Sequence, residues 1–139
     1  VVLLAKITQL GIILENKPRS LARLCSTLGK TGVNIVALYA PERARGGKVR
    51  VWVDKPDEAK SALKRDKMRF SEEEVLAMEL DNRAGTFGEV AEKLGRAKIN
   101  IKYAYSATAE GSINAVVILA VSNVSKALNV LRADTRTKQ

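Results

Sequence analysis

Two stretches of the chain carry asparagine at matching places. "LENKPRSLARLCSTLGKTGVNI" runs from Leu14 to Ile35 and holds Asn16 and Asn34. "LDNRAGTFGEVAEKLGRAKINI" runs from Leu80 to Ile101 and holds Asn82 and Asn100. The second stretch follows the first at an offset of sixty-six, and in each the two asparagines stand eighteen positions apart. A primary amide both donates and accepts hydrogen bonds without adding a charge, which is the chemistry of recognition rather than of reaction. In each stretch the first asparagine sits in a loop ahead of a helix, whose leading N–H groups and positive dipole end suit a carboxylate. Turn and cap chemistry is the competing account of all four, because asparagine favours such positions.

The residue types that catalysis usually needs are missing or scattered. The chain has no histidine, which removes the commonest general base and the commonest transition-metal ligand. The single cysteine, Cys25, falls on an apolar helical stripe and reads as packing, since a reactive thiol needs exposure and a cationic neighbourhood. Glu72–Glu74 reads as a solvated linker, because three adjacent carboxylates cannot all face one ion. "PERARGGK", Pro41 to Lys48, has two glycines but not the spacing of a phosphate-binding loop. No nucleophile is paired with a base. No catalytic residue, metal ligand or cofactor is expected.

Composition sets the frame for these residues. With 139 residues, 46% of them hydrophobic, the chain can bury a core and hold one domain or two small ones. No apolar run approaches the roughly 20 residues that span a bilayer, so no membrane partner is expected. The opening "VVLLA" is too short for a signal peptide, and one cysteine fits a reducing compartment; the expected location is cytoplasmic. The net charge of +9 lies entirely in residues 1–71, while residues 72–139 balance. That asymmetry can signal an acidic partner or a solvated surface.

Each copy predicts the same elements. An alternating segment opens it, Leu10, Ile12 and Leu14 in the first and Leu76, Met78 and Leu80 in the second, and period two reads as a strand. After the polar loop, Ser20 and Thr86 sit where a helix N-cap belongs. Leu21, Leu24, Cys25 and Leu28 then form one apolar stripe, matched by Phe87, Val90, Ala91 and Leu94. Gly32 is the expected stop of the first helix. Second and third strands follow as hairpins, "VNIVALYA" with "KVRVWVD" and "INIKYAYSA" with "INAVVILAV". Second helices begin near Pro56 and Asn123.

"KRDKMRF", Lys64 to Phe70, adds a short final strand to the first copy. The expected division is residues 1–71 for the first repeat, 72–132 for the second, and 133–139 for a polar, frayed tail. The fold class is α+β: two ferredoxin-like βαββαβ repeats whose helices cover one face of an antiparallel sheet. The other face should present Ile13, Val36, Leu38 and Trp52 in the first repeat, and Val116 and Ile118 in the second. So much apolar surface needs a cover, and a sheet from a partner chain in a homodimer is the simplest one.

These features carry a family resemblance. "ENKP" with its helix and "TGVNIVALY", and "DNRAG" with its helix and "KINIKYAYS", resemble the ACT domain, a small amino-acid-sensing module, over about residues 6–132. Two copies with no attached enzyme resemble the stand-alone tandem ACT proteins. The resemblance implies an amino acid held between modules, between repeats or between chains, by a loop asparagine of one and a strand asparagine of the other. Carried over residue by residue, one site takes Asn82, Arg83, Ala84, Gly85 and Thr86 with Asn34 and Ile35. The other takes Asn16, Lys17, Pro18 and Arg19 with Asn100 and Ile101. The family loop reads N-x-P-G. The first copy keeps Pro18 but has Arg19 for glycine, and the second keeps Gly85 but has Ala84 for proline, which favours the second loop.

The implied function is a non-catalytic regulatory sensor of a small L-amino acid, read by an enzyme or other protein that this chain does not identify. The alternative is an RRM-like binder of single-stranded nucleic acid, using Arg50 and Trp52 on the open sheet of the basic repeat. Against it stand one aromatic residue in "GGKVRVWVD" and the absence of the RRM sequence pattern.

Overall fold

The structure, a computed structural model, describes residues 3–42 and 47–137. In chain order the elements are β1 (Leu3–Ile13), α1 (Ser20–Lys30), β2 (Ile35–Tyr39), β3 (Lys48–Val53), α2 (Pro56–Arg65), β4 (Phe70–Asp81), α3 (Thr86–Arg96), β5 (Ile101–Ala107), β6 (Asn114–Val121) and α4 (Val124–Thr137). Contacts divide the chain into two compact units: Thr8–Glu73, and residues through Ile7 together with those from Glu74 onward.

In the unit Thr8–Glu73 the strand order is β2-β3-β1-β4, the order of a ferredoxin-like sheet. Antiparallel registry sets Leu10 against Val51 and Ile12 against Val49. These four side chains are buried with Leu24, Leu28 and Leu63, forming the core under α1 and α2. Its fourth strand is the start of β4, and Ile13 N–H donates to Arg69 O at 3.0 Å beside it. Of the segment "KRDKMRF", expected as a short final strand, Lys64 and Arg65 end α2 and only Phe70 is strand, as the first residue of β4. Glu72–Glu74 belongs to β4 rather than to a linker. Alternation carries Glu73 inward on one face, where Arg50 Nε at 3.2 Å compensates its charge, while Glu72 meets Lys60 Nζ at 3.1 Å.

In the second unit the order is β1-β4-β6-β5, the same plan. Leu76, Met78 and Leu80 pack with Val117, Leu119 and Val121 under Val90, Leu94, Ala127 and Leu131. Its fourth strand is Leu3–Ile7 of β1, and Leu4 packs on that core. α4 continues to Thr137, into the segment expected as a frayed tail.

Several local expectations change. Ser20 and Thr86 are the first helical residues, not caps; the caps are Arg19 and Gly85, both left-handed, with φ of 74° and 86°. The left-handed residue turns the chain one position earlier, so Arg23 N–H donates to Arg19 O and Glu89 N–H to Gly85 O. Leu21 and Phe87, at the second helical position, stay exposed, while Thr27 joins the buried side of α1. The α1 stop at Gly32 is as expected: Gly32 is left-handed, and Val33 N–H donates back to Leu28 O.

The open sheet faces also differ from the simple alternation. A register shift between Ile35 and Ala37 pairs Leu38 with core residue Val51, so Leu38 lies on the helix side of edge strand β2. Ile118 is buried, because it sits in an inner strand between Ala77 and Tyr105. Ile13 and Val36 remain exposed, as expected for that face. The turn read from "PERARGGK" includes residues 43–46, which lie outside the described residues, as do 138 and 139 of the tail.

Candidate functional site

The first asparagine loop opens into a groove of about 1430 Å³ within the unit Thr8–Glu73. Leu14 and Met68, both buried, lie at its floor, and Asn16 to Ser20, Ala22, Arg23 and Ser26 form one side. Lys67 and Arg69 approach from the end of α2. The left-handed turn at Arg19 starts α1 at the groove, with Ser20 N–H closing the loop onto Lys17 O at 3.3 Å. Among the described residues none accepts from the N–H groups of Leu21 and Ala22, so two donors and the positive end of α1 face outward.

Charge in the groove is one-sided. Five cations line it, Lys17, Arg19, Arg23, Lys67 and Arg69, against the one carboxylate of Glu15. Lys17 meets that carboxylate at 2.8 Å, and this hydrogen bond, with the charge of Lys17, lowers the Glu15 pKa. Arg23 Nη2 donates to Asp66 O at 2.8 Å. Thr27 Oγ1 donates to Asp66 Oδ2 at 2.8 Å, which is the leading reason that the Asp66 carboxyl is held below its ordinary range. These two bonds tie the end of α2 to the middle of α1, and so hold Lys67 and Arg69 beside the loop. Sequence reasoning missed Arg23, Ser26, Lys67 and Arg69; the excess charge of the first half was the available signal.

The second loop is organised differently. Asn82 Nδ2 donates to Ser112 O at 2.8 Å, and Asn82 N–H to Ile113 O at 2.8 Å. Its amide nitrogen is thus part of a turn. Thr86 Oγ1 reaches back to Arg83 O at 2.9 Å, and Arg83 Nη2 pairs with Glu89 at 3.2 Å. Ala84 and Gly85 are exposed.

The strand asparagines Asn34 and Asn100 are exposed, and among the described residues they bond through their backbones. Asn34 N–H donates to Asp54 Oδ1 at 2.9 Å, and Asn100 N–H to Ser122 Oγ at 3.0 Å. Ile35 and Ile101, next in sequence, are half-buried against the two cores. The structure brings Asn16, Lys17, Pro18 and Arg19 into one groove, and Asn82 to Thr86 into one loop.

The face proposed for single-stranded nucleic acid offers half-buried Trp52, while Arg50 and Lys48 are both paired with Glu73. Among the described residues no group of three His, Cys, Asp or Glu could hold a metal ion. No described helix is long and apolar enough to cross a membrane.

Fold and loops together define a duplicated ferredoxin-like module in which each unit opens its first helix through a polar, left-handed turn. The family model for the ACT domain pair matches residues 5–136, and the chain belongs to that family. The ACT pair is a non-catalytic regulatory module. Protein BT0572 from Bacteroides thetaiotaomicron is similar at 30% identity and a TM-score of 0.87, covering 94% of this chain and 90% of that one. The regulatory subunit of aspartate kinase from Thermus flavus shares the fold at 17% identity and a TM-score of 0.65, over 98% and 97% of the two chains. Escherichia coli aspartokinase III in complex with lysine and aspartate matches at 20% identity and a TM-score of 0.57, over 91% of this chain and 30% of that one. No curated protein matches.

Proposed function

We propose that this ACT pair is an amino-acid sensor, binding a small L-amino acid at its strand-to-helix loops and passing the occupancy to a regulated enzyme or other protein. The observation that carries the reading is the first loop: Asn16 shares a groove wide enough for a small ligand with the start of α1, where the Leu21 and Ala22 N–H groups find no acceptor among the described residues. A carboxylate suits those donors, and the amide of Asn16 serves an ammonium or a carboxylate equally well. The loop residues Lys17, Pro18 and Arg19 shape this site; Asn82 to Thr86 shape its counterpart. The exposed side chains of Asn34 and Asn100 are the further amide contacts in this reading. Binding regulates only if its affinity differs between two arrangements of the module.

Self-association through the sheet face belongs to the same proposal, supported by exposed Ile13 and Val36 and tested by sedimentation equilibrium. The nucleic-acid reading has less support, because the two cations beside Trp52, Lys48 and Arg50, are both engaged by Glu73.

The decisive experiment is a thermal-shift screen of the common L-amino acids at millimolar concentration. At least one should raise the unfolding temperature, since a ligand at about 100 times its Kd adds about 2.7 kcal/mol to stability. A flat response across the panel overturns the sensor reading.

A further inference from the structure

The two loops differ in charge. Of the five cations in the first groove, only Lys17 is balanced by a carboxylate lining it. Among the described residues Arg19, Lys67 and Arg69 make no ion pair, and Arg23 donates to a backbone oxygen. A zwitterionic amino acid brings one carboxylate, which the Leu21 and Ala22 N–H groups satisfy on their own. It would leave the exposed guanidinium groups of Arg19 and Arg69 to water. A second acidic group on the ligand answers them, by the charge-assisted hydrogen bonds at which arginine excels.

The second loop supplies the contrast within the same chain. At the sixty-six offset, Gly85 stands in place of Arg19 and Glu89 in place of Arg23. Glu89 pairs with Arg83 at 3.2 Å, so the arginine of this loop is already engaged and an added anionic group there would meet a carboxylate. Arg19 also holds a left-handed φ of 74°, a conformation that costs a side-chain-bearing residue about 1–2 kcal/mol and glycine almost nothing. A cation stands where the backbone favours glycine, at the mouth of a cationic groove.

We infer that the first groove takes a small dianionic ligand, an amino acid with a second acidic group, while the second loop does not. This rests on the sensor reading for the amino-acid half of the ligand and on the groove alone for the two negative charges.

The test is calorimetric titration of the full chain with L-aspartate, L-glutamate, their amides L-asparagine and L-glutamine, and succinate. The chain is taken as wild type, Arg19→Gly and Arg69→Gln. Arg19→Gly removes a left-handed side chain, so its folding is not at risk. One acidic amino acid should bind at least about tenfold tighter than its amide, the amount one charged hydrogen bond supplies. Both substitutions should erase most of that preference, as should raised salt. Acidic and amide ligands binding alike, with no effect of Arg19→Gly or Arg69→Gln, overturns the inference and leaves the sensor reading standing. Succinate binding that depends on Arg19, with none of the four amino acids binding, keeps the dianion groove and removes the amino-acid half of the inference. Absence of binding by every ligand ends the inference and leaves the sensor reading to the screen of all the common amino acids.

Discussion

Thr27 on α1 donates its hydroxyl hydrogen to the carboxylate of Asp66, the C-cap residue of α2, across 2.8 Å. The side chain of Thr27 is buried and that of Asp66 is half-exposed, so this bond joins two helices at the edge of the core. It also fixes where Lys67 and Arg69 leave α2, and through them the shape of the groove.

A pH dependence follows from that bond. The Asp66 carboxyl is held below its ordinary range, first by Thr27 and then by Arg65. A depressed carboxylate adds stability above its unfolded-state pKa and loses it as pH falls through the lower folded-state value. Thr27→Val should therefore lower the melting temperature at pH 7. The gap from wild type should close as the pH drops through and below about 3.9, the ordinary Asp value. Thermal unfolding measured from pH 7 down to pH 2 reads the two curves directly; a gap that stays constant with pH would assign the effect to packing alone.

Glycines three residues apart should respond oppositely to alanine. Gly85 has a φ of 86° and Gly88 is helical, and a Cβ at either position meets nothing within 4 Å. Only backbone conformation separates them. Gly85→Ala should cost about 1 kcal/mol, and Gly88→Ala should gain about 1 kcal/mol. Urea denaturation midpoints provide the measurement.

The repeat was legible because its signals are local. The loop, helix and strand at Leu14–Ile35 and Leu80–Ile101 depend on neighbours in sequence, so the same residue types produce the same elements twice. Features that depend on distant partners were not. Leu3–Ile7 packs with residues from Glu74 onward, and nothing in its own alternation says which sheet it joins. The bulge between Ile35 and Ala37 reverses the face of Leu38 by one inserted residue, a shift that periodicity alone cannot reveal. Half of the groove was hidden for the same reason. Asn16 to Arg19 announce themselves, but Lys67 and Arg69 join them through contacts distant in sequence, Asp66 with Thr27 and Arg69 O with Ile13 N–H.

Gly11 marks a second place where strands crowd. A Cβ there would lie 3.1 Å from Lys48 Cδ and 3.2 Å from both Glu73 Oε1 and Ser71 Oγ. Lys48 can swing aside, but Glu73 is held by Gln9 at 3.2 Å and by Arg50 at 3.2 Å. Gly11→Ala should destabilise by about 1 kcal/mol, at the low end for overpacking. Gly11→Ala combined with Glu73→Ala should show coupling in a double-mutant cycle, because both changes act on the same space.

The two loop asparagines should separate stability from binding. Asn82 uses Nδ2 to hold Ser112 O at 2.8 Å, so its removal strips a turn of a bond worth about 1 kcal/mol. Asn16 is exposed and its side chain makes no hydrogen bond among the described residues. Asn82→Ala should therefore lower the melting temperature of the free protein, whatever it does to a ligand. Asn16→Ala should leave the free protein unchanged and remove the shift that an amino acid produces in the first groove. Loss of that shift in Asn82→Ala alone, with Asn16→Ala behaving as wild type, would move the sensing site from the first loop to the second. The free-protein melting temperature makes that outcome interpretable, because it records how much of the Asn82 effect is structural before any ligand is added.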